Sequence, residues 1–545
     1  MRRIIPLLLV LSLLFLSAAA LGARPSRLAA AQPVAPAEPP PPVHAGRVEL
    51  ALDGGPAEPG THGAGDVPAG RALAAGDWYV GATPPNADPT KPVLVFVHGK
   101  GGSAAGWWSD TMYHGVNDMY AYAYNNGYRT AFVDLHPEGT MWTNGQLLSS
   151  LLDQVTAHFG VSKVVIVAHS KGGVDANAAS AHYGAAARIR RVVTLGTPHW
   201  GTPLADLAYS SWASWLAEII GQRTDATYVM QTGYMDYFRS ITDGLDPGVA
   251  YATVSGYKCG PLFTALWLGC VYISGEDDGV VPVWSAQKPG ASHLSTGYWD
   301  HDEIRMGSRV WSTIAPQLTA SGLTASPGAR AAAGGPAAPG NLILRGGKAN
   351  AEEHADAFPV ERGVRAATFH VLASHPDLKA ALAAPDGTLH PVKFVAPVPE
   401  GEVFAGAWLG AVEVEDPAAG EWRLVTSGPA GSAYLMIAAL EGGVAAVLDL
   451  GDRLSVPGAA RTVSVSLQGA DVAESRASLT LTGRDGPVAD GIGLSGGRGA
   501  HRAALSVPQQ PGVYTVTVTV TGKLGDGWPF ERTVVSSFAA FPRAD

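Results

Sequence analysis

Four short, mainly apolar runs constrain the first half of this 545-residue chain more than any other feature: VLVFV at 93–97, which is unbroken, RTAFVDL at 129–135, KVVIV at 163–167 and RVVTL at 191–195. A strand reads this way when both of its faces are covered and neither has to meet water. Helical stretches lie between the runs. Residues 116–126 have helical character, and Asn144 is placed to cap a helix reaching Phe159, with Leu147, Leu148, Leu151, Leu152 and Val155 at helical spacing. A further strand is expected at 271–274 and a last helix from Asp302 to about Ile314. Strands alternating with helices predict an α/β domain over residues 76–318 whose mostly parallel sheet is covered on both sides.

The pattern then changes. Residues 319–340 (TASGLTASPGARAAAGGPAAPG) form a linker, and beyond it apolar positions recur with a period of two. EWRLV at 421–425, TVSVSL at 462–467 and YTVTVTV at 514–520 are such strands, with glycine-rich turns between them. They predict two all-β modules of the Ig-like sandwich type, 341–451 and 452–545.

At the N-terminus, Arg2 and Arg3 precede an apolar run from Ile4 to Leu16 and small residues at Ala18–Ala20 and Ala29–Ala31. That is the layout of a secretory signal peptide, assigned to 1–31, with a Pro/Gly-rich spacer at 32–75. The protein is therefore expected to be secreted, with no stable membrane span once the signal is cleaved. In an exported chain the lone pair Cys259 and Cys270 reads as one disulfide, and two thiols without further ligands make no zinc site. A net charge of −10 with no basic stripe excludes nucleic acid as a partner.

Three groups carry chemistry. Ala168-His169-Ser170-Lys171-Gly172-Gly173 follows one apolar strand and opens a helix. A serine on so sharp a turn is lifted to the sheet edge, and its neighbours two residues away must be small. His98-Gly99-Lys100-Gly101-Gly102 closes the first apolar strand, and such a turn can aim amides at a developing oxyanion. The candidate donors are the backbone N–H groups of Lys100 and Lys171. In the stretch GEDDGVVP at 275–282, Asp278 is the candidate acid and Asp277 the runner-up. Downstream, His301 is the candidate base, at the mouth of the last helix, and His293, in a Ser-rich loop, the runner-up. His199, in GTPHWGTP at 196–203, is read as structural.

The ordered set HG, AHSKGG, GTPHWGTP, DGVVP and HDE resembles that of secreted bacterial lipases and esterases of the α/β-hydrolase superfamily. The resemblance covers 93–312 and implies a Ser170–Asp278–His301 triad working through an acyl-enzyme. Some members of that family hold calcium near the histidine through an aspartate two residues on. Here Glu303 stands at that position beside Asp302, so a structural calcium is left open but not predicted, and no other cofactor or metal is expected.

A serine carboxylic-ester hydrolase follows, with a lipid or polymeric ester as substrate. Triacylglycerol lipase leads, with polyhydroxyalkanoate depolymerase and phospholipase as alternatives on the same triad. The non-enzyme alternative is a surface adhesion protein with an inactive hydrolase domain. In either case the β modules are read as structural supports or spacers, with holding a carbohydrate, a cell surface or insoluble polymer as the alternative. The aromatic-rich stretch containing Trp200, Trp212, Trp215, Leu216, Ile219 and Ile220 is read as a lid, an acyl-chain wall or core.

Overall fold

The computed structural model describes residues 37–51, 73–245, 248–320 and 340–542. The signal peptide at 1–31, the start of the spacer and most of the linker lie outside the described residues.

The first domain is built on one sheet. Its strands are β1 (Val43–Ala51), β2 (Leu73–Val80), β3 (Leu94–Val97), β4 (Thr130–Asp134), β5 (Val164–His169), β6 (Ile189–Leu195), β7 (Ala250–Gly256) and β8 (Ser292–Gly297). They lie in the order β1-β2-β4-β3-β5-β6-β7-β8. From β4 to β8 neighbouring strands run parallel, while β1, β2 and β4 pair antiparallel. Helices α1 (Met119–Asn125), α2 (Met141–Phe159), α3 (Lys171–His182), α4 (Pro203–Ala208), α5 (Ser214–Ile219), α6 (Asp225–Val229), α7 (Thr232–Thr242), α8 (Ala265–Tyr272) and α9 (Gly307–Thr319) complete it.

Alternate residues of each central strand serve opposite layers, which is why the runs are apolar throughout. Val95, Val97, Ile166 and Ala168 pack against Leu147, Leu148, Leu151 and Ala179 of α2 and α3. Leu94, Phe96, Val165 and Val167 face Met119, Tyr120, Val310 and Ile314 of α1 and α9.

Several expectations need correction. β1 and the start of β2 occupy part of the stretch read as spacer, where an antiparallel edge pair shows too little apolar contrast to stand out from its Gly/Pro surroundings. The cap of α2 is Thr140, whose Oγ1 accepts from the Thr143 amide at 3.1 Å; Asn144 lies inside the helix. Residues 271 and 272 end helix α8 rather than starting a strand, an apolar run too short for periodicity to decide its type. His293 sits in strand β8, and the last helix starts at Gly307 after a short 3₁₀ turn at Glu303–Arg305.

The first β module packs a five-stranded and a four-stranded antiparallel sheet face to face around Phe358, Phe369, Trp422 and Met436. The second is an eight-stranded sheet folded around Val463, Leu479, Val516 and Phe538. Its first strand is Ala445–Asp449, so the change of module falls before residue 452. Between the modules, Arg532 and Glu361 form a wholly buried ion pair, and the Arg532 Nε donates to the Val444 carbonyl at 2.6 Å.

Neither module hangs free on the linker. One apolar cluster joins Trp142, Leu204, Leu216, Tyr228, Phe238 and Tyr272 of the first domain to Leu344, Phe404, Leu435, Ile437, Val513 and Phe541 of the modules. Buried polar bonds cross the same seam. Asp206 accepts from Thr232 and from Ser537 Oγ (2.6 Å), and Tyr228 Oη accepts from the Val513 amide (2.8 Å). The aromatic-rich stretch after Trp200 supplies part of this seam. Leu216 is fully buried in the shared cluster, Trp212 packs beside it, and the Arg345 guanidinium lies over the Trp212 ring at 5.5 Å.

Candidate active site

Strand β5 ends at His169 and α3 begins at Lys171, so Ser170 alone makes the turn, with φ 51° and ψ −134°. A non-glycine residue at positive φ is strained and needs support from its surroundings. Thr197 supplies some of it, donating its hydroxyl to the Ser170 carbonyl at 2.8 Å. Close packing supplies the rest. A Cβ at Gly172 would fall 2.3 Å from the His98 carbonyl oxygen, and one at Gly99 would fall 2.7 Å from Ser170 Cβ. The two glycine motifs are therefore the two sides of one contact.

The Ser170 hydroxyl is 3.0 Å from His301 Nε2, and His301 Nδ1 is 2.9 Å from Asp278 Oδ2. The second Asp278 oxygen accepts the amides of Val280 (3.1 Å) and Val281 (2.7 Å), which pins the carboxylate. His169 donates Nε2–H to the His301 carbonyl at 2.9 Å, and the His301 amide donates to the Asp278 carbonyl at 2.8 Å. Burial works against the His301 imidazolium. The Asp278 carboxylate, by charge and hydrogen bond, outweighs it with help from Glu402, so His301 is held above its ordinary value.

The runners-up stand elsewhere. Asp277 Oδ1 accepts from the Gly279 amide at 2.7 Å and lies 3.1 Å from Cys270 Sγ, and burial pushes its carboxyl up to about 8. Cys259 and Cys270 form the disulfide that closes this loop. His293 bonds Thr253 and Thr296 through its two ring nitrogens. His199 is fully buried against Thr194, and burial drives it well below the ordinary imidazole value.

The amide of Lys171 is at the N-terminus of α3, where backbone donors have no helical acceptor. The Lys171 side chain turns away and is buried on Asp175 (2.7 Å), which also accepts from Asn144 at 3.0 Å. Lys100 lines the cleft above Ser170, and its ammonium is held by Glu138 (3.1 Å) and Gln222 (2.9 Å). No motif marks Asp175, and Asn144, expected to cap α2, is instead a partner of Asp175 inside the helix.

The residues after His301 do not fit a calcium ion. Glu303, Asp300 and His114 converge, but the Lys258 ammonium already lies 2.6 Å from Glu303 and 3.5 Å from Asp300. Asp302 is bonded to Arg305 at 2.6 Å and to the Tyr113 amide at 2.8 Å. A fixed cation stands where a divalent ion would have to bind.

The most unexpected lining comes from the first β module. Glu400, Gly401 and Glu402 form part of the wall of the cleft that holds Ser170 and His301.

A mostly parallel sheet with serine, imidazole and carboxylate joined at its carboxyl edge defines a class, the α/β hydrolases. The model of the α/β-hydrolase fold family matches residues 92–225. A Bacillus licheniformis lipase, BlEst2, in its propeptide form is similar at 31% identity and a TM-score of 0.69, covering 85% of this chain and 99% of that one. The same lipase in its mature form is 44% identical over 45% of this chain and 98% of that one, with a TM-score of 0.42. No curated protein sequence matches the chain. The chain belongs to the α/β-hydrolase family, among its lipases and esterases. Among the described residues, no helix is long and apolar enough to cross a membrane.

Proposed function

We propose that this protein is a secreted serine carboxylic-ester hydrolase acting on lipid esters, made as a precursor whose C-terminal half covers its own active site. The observation that carries the first part is the unbroken chain of contacts from Ser170 through His301 to Asp278. Ser170 Oγ attacks the ester carbonyl carbon and passes its proton to His301 Nε2. Asp278 stabilises the imidazolium through Nδ1–H. The amides of Lys100 and Lys171 receive the oxyanion. As the tetrahedral intermediate collapses, the C–O bond to the alcohol breaks and His301 returns the proton to it, leaving an acyl-enzyme. Water, deprotonated by His301, then releases the acid and restores the serine.

The second part rests on the seating of the modules. A module that tethered insoluble polymer would leave the cleft open. Here residues 400–402 stand in the cleft wall, and the two halves of the chain share one apolar cluster. The related Bacillus lipase that is similar over 85% of this chain is in a propeptide form.

The test is limited proteolysis of the full chain, followed by assays on p-nitrophenyl butyrate, a triacylglycerol emulsion, a phospholipid and a polyhydroxyalkanoate film. Hydrolysis rising at least tenfold on cleavage, and absent in cleaved Ser170→Ala, is the expected result. An intact chain as active as the cleaved one would remove the precursor reading. No hydrolysis and no fluorophosphonate labelling after cleavage would remove the ester-hydrolase reading.

A further inference from the structure

The turn that enters the cleft spans residues 398–407. It is tied to itself by the Val398 amide on the Ala407 carbonyl (2.7 Å) and the Gly406 amide on the Val398 carbonyl (2.9 Å). Val403 and Phe404 anchor it in the apolar cluster shared with the first domain. Its tip fits tightly: a Cβ at Gly101 would lie 2.5 Å from both N and Cα of Gly401.

Glu402 is the anomaly in this contact. It is 3% exposed, and its Oε1 is buried without a hydrogen-bond partner. The nearby Lys100 does not pair with that carboxyl; its ammonium is bonded to Glu138, Gln222 and the backbone carbonyl of Glu402 (3.3 Å). From the β8–α9 connection, His301, Asp302 and Arg305 face the turn, but Arg305 is committed to Asp302. Asp278 faces it from the acid loop, and Tyr113 from the loop before α1. His98 and His169 line the same cleft at the ends of β3 and β5, both held neutral by burial, and Glu400 adds a carboxylate from the turn itself. His301, whose ring nitrogens are both taken by Ser170 and Asp278, lines the same cleft, and among the described residues no side chain gives the buried Glu402 Oε1 a hydrogen bond. A buried carboxylate without a partner is costly.

We propose that Glu402 is a proton-dependent latch. The turn stays seated over Ser170 while the buried Glu402 carboxyl holds a proton, and it loosens when that proton is lost. The inference rests on the precursor reading above and adds how the seat is controlled.

The sign follows from burial. Seating moves the Glu402 carboxyl from its ordinary 4.5 up to about 7, through burial, with Asp302 and Asp278 adding to it and His301 and Lys100 opposing. Glu402 in turn helps to raise His301. Both groups hold protons more tightly with the turn seated. The contribution to seating is complete below the ordinary carboxyl value and is lost as pH rises through about 7.

The experiment uses the intact chain and its Glu402→Gln variant at pH 5.5 and 8.0. Two quantities are read: hydrogen–deuterium exchange of segment 398–407, and the rate at which a fluorophosphonate labels Ser170. The glutamine stays neutral, so it remains seated at both pH values; because it also removes a charge that raises His301, the labelling ratio is read together with exchange of 398–407, which the titration of the triad does not move. The expected wild-type to variant labelling ratio is near one at pH 5.5 and on the order of ten or more at pH 8.0. Exchange of 398–407 in the wild type rises in parallel. A ratio flat in pH, with the segment equally protected at both values, overturns the latch alone. A segment that exchanges freely at pH 5.5 overturns the latch and the precursor reading together. If the variant fails to fold, wild-type exchange decides between the same outcomes.

Discussion

Two turns meet over the cleft, and they are made in opposite ways. The turn at Ser170 is a single strained residue between a buried strand and a buried helix, and its geometry is fixed by neighbours close in the fold. The turn at 398–407 is relaxed, carries its own hydrogen bonds and is held by what lies beneath it. The first is locked by its neighbours, whereas the precursor and latch proposals make the second the part that leaves. On those proposals the reacting groups sit on the rigid turn and the control on the removable one.

That contrast can be broken most severely on the rigid side. Asp278→Asn is expected to lower kcat of the cleaved protein by about 10³–10⁴-fold by losing the imidazolium's partner, while Asp277→Asn changes it little. Steady-state kinetics of the pair checks this, and equal losses would show that the acid is misassigned. On the removable side, Phe404→Ala opens a cavity under the turn. It should cost about 3–5 kcal/mol locally, seen as faster exchange of 398–407 and faster serine labelling of the intact chain, with the strand β5 amides still protected.

A smaller, pH-dependent effect distinguishes the adjacent aspartates. The folded-state value of Asp277 is raised from 3.8 to about 8 by burial. Its contribution to stability is therefore present below 3.8 and is lost as pH rises through about 8. Asp277→Asn should flatten that loss, so the Tm difference between pH 5 and pH 9 narrows in thermal scans. The smallest effect is expected at the seam. Ser537→Ala removes a buried hydroxyl that donates to Asp206 and accepts from the Gly233 amide, and it should cost about 1–2 kcal/mol in denaturant unfolding.

The same contrast explains what the sequence disclosed. Strand β5, the serine and the glycines are legible because the chemistry forces small residues into fixed positions within a few residues of each other. The apolar runs are legible because both faces of β3 and β5 are covered. His301 and Asp278 follow from chain order, although the strand expected before the acid is the end of α8. Glu402 left no trace, because GEVF in a β module looks like any turn and the cleft it lines belongs to another domain. The Lys171–Asp175–Asn144 cluster was hidden for a related reason: burial, not spacing, pairs those groups. The aromatic-rich stretch after Trp200 was visible as apolar but not as a seam, since nothing in a sequence says which surface will cover another.

The buried pair of Arg532 and Glu361 has a mechanical consequence. Separating it would strand a charge in the interior, so parting the two β modules is costly. The turn over Ser170 belongs to one module, and the strands docked on α4 and α7 belong to the other. On the precursor proposal, a pull or a cut at the far module is then expected to reach the cleft as well, like a handle fixed to a stopper.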